Sequence, residues 1–243
     1  FTKDLLEDCG LVKMDFLGLK TLTLLKRCEA LIQKKGGEYS NFLIKNIDYK
    51  DKKTFELLSR GASSAVFQFE SAGMQNILKR AKPDKVEDLI ALNALYRPGP
   101  MDNIDAFIAG KMDIKKIKYP HPSLEDILSE TYGVIVYQEQ VMQVARRVGG
   151  YSLGQADILR RAMSKKKADE MAAHKVTFVQ GALERGYSKE VAESIFELLI
   201  PFSGYGFNKS HAAVYAILAF QTAYLKAHFA PEFMAANLTN EIN

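Results

Sequence analysis

Apolar residues recur three and four positions apart through most of this 243-residue chain, and that spacing commits it to helices. Leu19, Leu22 and Leu31 fit a helix that Gly36-Gly37 ends, and Asp51 and Ser71 each stand where an N-cap should. Beyond Asp84, the residues Val86, Leu89, Ile90, Leu92 and Leu95 spell an amphipathic helix, which Arg97-Pro98-Gly99-Pro100 cannot continue. A helix over 138–148 follows, then Ser152 and Gln155 make a capping-box pattern ahead of Ile158, Leu159, Ala162 and Met163. Further helices are expected from Ser188 to Pro201, from Ser210 to His228, and after Pro231, a residue suited to a first turn. Val12, Met14 and Phe16 alternate with Lys13 and Asp15 at the period of a strand, and Ala65–Phe69 and Val134–Tyr137 also read as short strands. The expected class is mainly α with a few short strands, and the charged, proline-punctuated stretch 113–122 is the expected exposed connector.

Nearly half of the residues, 47%, are apolar, enough for a sizeable core, while a net charge of +4 is too mild to name a partner. Cys9 and Cys28 lack metal-ligand spacing and form no disulfide framework, which suits a reducing cytoplasm. No apolar run approaches membrane-spanning length, and no signal-peptide pattern opens the chain. The chain opens on Phe1 and stops at Asn243 just after a helical pattern, so it reads as an excerpt of a longer protein.

Three clusters could carry chemistry. On a strand, Lys13 and Asp15 share a face while Val12, Met14 and Phe16 turn to the core. An ammonium and a carboxylate so placed suit a metal-bound triphosphate, or simply pair with each other across a surface. Arg160-Arg161 and Lys165-Lys166-Lys167 follow on a capped helix, where arginine forks match phosphate oxygens; a solvated basic face is the plainer reading. The loop Gly204-Tyr205-Gly206-Phe207-Asn208-Lys209-Ser210-His211 enters a helix whose first amides, with Lys209, Ser210 and His211, could hold phosphate. Tyr205 and Phe207 could stack on a base, though glycine with aromatics is also ordinary loop packing. The remaining acids are scattered, no Asp-x-Asp pair occurs, and neither a nucleophile–base pair nor a phosphate-loop motif is present.

Five long motifs, in order, resemble one family. They are Leu11-Val12-Lys13-Met14-Asp15-Phe16-Leu17-Gly18-Leu19, Leu95-Tyr96-Arg97-Pro98-Gly99-Pro100-Met101, the stretch 130–142 containing Tyr137-Gln138-Glu139-Gln140, Leu159-Arg160-Arg161-Ala162-Met163, and the stretch 204–213. Together they look like the bacterial DNA polymerase III alpha subunits, the C-family replicative polymerases. The resemblance implies that residues 1–22 end a palm domain and that residues 23–243 form part of the fingers. It implies that Asp15 is the last of three metal-binding carboxylates, a catalytic residue at a site of two Mg2+ ions. It further implies that Lys13, Arg160, Arg161, Ser210 and His211 face the incoming nucleotide; by their own chemistry Lys165, Lys166, Lys167, Tyr205, Phe207 and Lys209 are further candidate nucleic-acid or phosphate contacts.

The implied partners are primer-template DNA and deoxynucleoside triphosphates, with the sliding clamp and other replisome subunits reached through regions outside this chain, in the cytoplasm and off the membrane. The family's two other catalytic aspartates are not in this sequence, so the chain alone is expected to be inactive. Ser203 stands where the family pattern has alanine. The competing reading is a noncatalytic nucleic-acid-binding module using the basic helix and the aromatic loop.

Overall fold

The computed structural model describes residues 5, 6, 8–12, 14, 18–164, 168–200 and 206–242. Among them are twelve α-helices joined by turns and short 3-10 segments, and no named strand, so the mainly α class holds. In order these are α1 Lys20–Gln33, α2 Lys52–Ser59, α3 Ala72–Ala81, α4 Val86–Leu95, α5 Ile104–Met112 and α6 Glu125–Leu128, then α7 Gln138–Arg147, α8 Leu153–Ser164, α9 Ala168–Leu183, α10 Lys189–Leu199, α11 Lys209–His228 and α12 Ala230–Ile242.

Local chemistry sets many of the boundaries. The Asp51 carboxylate accepts from the Thr54 amide at 2.8 Å, and the Ser71 and Ser188 hydroxyls cap α3 and α10 in the same manner. The expected box at α8 is reciprocal: Gln155 N donates to Ser152 Oγ, and Ser152 N donates to Gln155 Oε1. Helix α4 departs from its amphipathic expectation, because every residue from Asp88 to Leu95 is buried. Packing by α11 along it removes the solvent side that its apolar stripe led one to expect.

Two apolar clusters divide the interior. The first gathers α1 to α5 with α11 and α12 around Phe69, Leu89, Phe107 and Phe220. The second gathers α6 to α10 around Leu159, Phe178 and Phe196. The half-exposed connector 113–122 runs from one to the other. Helix α9, absent from the sequence expectation, carries a weak apolar stripe that rests on Phe178 and Ala182. Its Gly181 approaches the Gly149 carbonyl so closely that a Cβ there would collide with backbone.

Of the expected strands, the two that lie wholly within the described residues, 65–69 and 134–137, do not form. Residues 65–69 fold as consecutive turns, with Ala65 and Gln68 in the left-handed region at φ of 62° and 63°. Their hydrogen bonds stay local or go to side chains: Val66 N donates to Ser63 O, and Phe67 N to Thr222 Oγ1 on α11. Residues 134–137 are extended, but one side chain takes the place of a neighbouring strand. Gln140 Oε1 accepts from Val136 N at 2.8 Å and Tyr137 N at 3.0 Å, leaving a single parallel bridge between Tyr137 and Phe207. Near the start, Val12 and Met14 are exposed at 85% and 72% rather than turned to a core. Lys13, Asp15 and Phe16 lie outside the described residues.

Candidate functional site

The segment 134–137 contributes to both clusters. Val134, Val136 and Tyr137 enter the first and Ile135 enters the second, so the start of α7 lies at their seam. Two of the sequence-identified elements meet there: the arginine helix α8, built on the second cluster, and the loop 206–208 that leads into α11, built on the first.

Gln138 joins them. Its amide oxygen accepts from Arg160 Nη1 at 3.3 Å, its side-chain nitrogen donates to the Gly206 carbonyl at 2.6 Å, and its backbone N–H donates to Phe207 O at 3.0 Å. Arg160 is steadied from its other edge by Asp157, which receives Nε at 2.9 Å and Nη2 at 2.9 Å; the same carboxylate takes Arg161 Nε at 2.8 Å. Hydrogen bonding from Arg160, with both positive charges nearby, holds the Asp157 carboxyl below the usual range. Arg161, the more exposed of the pair, points its fork to solvent with a side-chain exposure of 69%.

On the other side, Phe207 is a platform. The Arg97 guanidinium sits 3.7 Å from its ring centroid, and His211 meets it edge-on at 5.2 Å. His211 stacks in turn on Tyr215 at 4.3 Å, and Tyr215 reaches Phe67. Partial burial lowers the pKa of Arg97 from its ordinary value. The rigid Arg97-Pro98-Gly99-Pro100 turn therefore delivers a cation as well as ending α4.

The start of α11 is not an open set of amides, as the sequence had suggested. Asn208 Oδ1 accepts from His211 N at 2.8 Å, and the Glu139 carboxylate accepts from Lys209 N at 3.1 and 3.2 Å. The Lys209 ammonium is tied to Glu130 at 2.6 Å and lies 5.4 Å from the Tyr137 ring. Ser210 is exposed at the first turn. Thus Arg160, Phe207, Lys209 and His211 gather around the start of α7, with Arg161 and Ser210 at the rim, while Lys165, Lys166, Lys167 and Tyr205 lie outside the described residues. Sequence reasoning missed Arg97, Gln138 and Glu139 as site residues although all three stood in the quoted motifs; paired amide and acid at a helix start was the available signal.

The site is an open surface. A cleft of about 730 Å³ opens elsewhere, between the start of α1, the 65–71 turns and the end of α12. The described residues contain no group of three or more His, Cys, Asp or Glu able to hold a metal ion. No described helix is long and apolar enough to cross a membrane.

Residues 21–186 match the family model of the bacterial DNA polymerase III alpha subunit finger domain. The chain belongs to that finger-domain family. Over all 243 residues it is 68% identical to the DNA polymerase III subunit alpha of Borreliella burgdorferi and 67% identical to that of Treponema pallidum, covering 21% of each relative. With the Bacillus subtilis subunit, identity is 50% over 242 residues and 22% of the relative's length. The finger-domain match spans α1 to α9 and so takes in Arg97, Gln138 and the α8 arginines, while the Phe207 loop and α11 lie beyond its last residue.

Proposed function

We propose that this chain forms the nucleotide-gripping face of a template-directed replicative DNA polymerase, acting on deoxynucleoside triphosphates and primer-template DNA. The observation that carries the reading is the convergence of Arg160 and the Arg97–Phe207 pair on the start of α7, at the seam between two packed clusters. Cations here neutralise phosphate charge, and arginine forks fix oxygen positions as a point charge would not. Arg161 and His211 extend the cationic and polar surface, Ser210 adds a hydroxyl, and Lys209 holds the loop through Glu130.

In phosphoryl transfer the protein's part is mainly positioning and charge stabilisation, which is what these groups supply. Lys13 joins them at the triphosphate, and Asp15 is the one metal-binding carboxylate that this chain contributes. The described residues do not make a metal site by themselves, so the other ligands for Mg2+ come from outside them. Residues 1–22 are assigned to the palm and 23–243 to the fingers, in a cytoplasmic enzyme whose clamp and replisome contacts lie elsewhere.

The test is nucleotide incorporation by the full-length protein that carries this chain. Asp15→Asn should abolish extension while leaving primer-template binding largely intact, and Arg161→Ala should raise KM for nucleotide. The isolated 243 residues should not extend a primer. Salt-dependent DNA binding with no preference for triphosphates would instead identify a noncatalytic nucleic-acid-binding module.

A further inference from the structure

We infer that Gln138 is a positioning residue that sets Arg160 against the Phe207 loop for the bound triphosphate. This deepens the triphosphate reading and rests on it.

A guanidinium can only donate and a peptide carbonyl can only accept, so the side chain between Arg160 Nη1 and Gly206 O must offer one acceptor and one donor at once. A carboxamide does so. A carboxylate would repel the Gly206 carbonyl, and an ammonium would repel Arg160. Gln138 is also fixed at its own backbone, where its N–H donates to Phe207 O. The side chain thus stands on a rigid base at the first residue of α7.

Placement makes the contact consequential. Arg160 rides on a helix anchored in the second cluster by Ala156, Leu159 and Met163, while Phe207 packs on the first. Without Gln138, Arg160 keeps its Asp157 partner on its own helix but loses its tie to the loop across the seam. The charge remains, and its location relative to the Arg97–Phe207 platform is released. A positioning defect of this kind weakens nucleotide binding more than it slows the reaction once nucleotide is bound.

The experiment is a double-mutant cycle in the full-length protein that carries this chain, with Gln138→Leu, Arg160→Ala and the double variant, read as kcat and KM for nucleotide, with primer-template affinity measured alongside. Hydrogen bonds to charged groups are worth enough that Q138L should raise KM roughly tenfold. The change in kcat should be smaller, and DNA affinity unchanged. In the R160A background, Q138L should add little, because the residue that it positions is gone. Additive effects, or a Q138L protein with the parent's KM, would overturn the inference while leaving the triphosphate reading intact. An R160A protein with the parent's KM would overturn both. Gln138→Met, which keeps the unbranched stem, is the second variant should Q138L fail to fold, and it carries the same expectations.

Discussion

The guanidinium of Arg97 lies 3.7 Å from the centroid of the Phe207 ring, linking the turn after α4 to the loop before α11 across more than a hundred residues of sequence. A cation over an aromatic face at an exposed site is worth about 0.5–1 kcal/mol. Arg97→Ala and Phe207→Leu should therefore be coupled by that amount in denaturant unfolding of this chain. Strictly additive losses would show that the two side chains are neighbours without interacting.

Lys111 is a stronger case, because its ammonium is buried with the Asp88 carboxylate, while its second partner, Asp84, is exposed. Its ammonium lies 2.8 Å from Asp88 and 2.7 Å from Asp84, and the Tyr132 hydroxyl donates to Asp88 at 3.0 Å. Burial raises the Asp88 pKa above the ordinary 3.8, and Lys111 opposes that rise. Lys111→Met strands a buried carboxylate and should cost about 3–5 kcal/mol near neutral pH. The sign of its pH dependence follows. With its folded pKa raised further, Asp88 is best tolerated below its unfolded value, so the penalty should grow as pH rises above 3.8. A penalty flat with pH, measured by thermal unfolding, would remove Asp88 from the explanation.

Asp51 should behave in the opposite sense. Burial pushes its pKa up, but hydrogen bonds from Thr54 and His228 outweigh burial and hold it below 3.8. Its contribution is present above that value and lost as pH falls through the depressed one. Asp51→Ala should cost about 1–2 kcal/mol at neutral pH through loss of the α2 cap. The gap from the parent chain should close in strong acid, as thermal unfolding at a series of pH values would reveal.

Caps were legible because a helix start needs an acceptor within three residues, so Asp51, Ser71, Ser152 and Ser188 could be read without knowing any neighbour. The Arg97-Pro98-Gly99-Pro100 stop was legible for the same reason. Short strands were not. The apolar run 134–137 is compatible with a strand, but backbone groups go to whichever partner lies closest, here the Gln140 side chain.

The sequence by itself determined most of the helices, α5, α6 and α9 aside, several of their caps, and the basic and aromatic residues that mark Arg160, Arg161, Phe207 and His211, since each depends on spacing along the chain. Tertiary structure decided which of them meet. Gln138 and Arg160 are 22 residues apart, and Gln138 and Gly206 are 68 apart. They come together because Val134, Val136 and Tyr137 enter one core and Ile135 the other, and that seam exists only once both cores have packed.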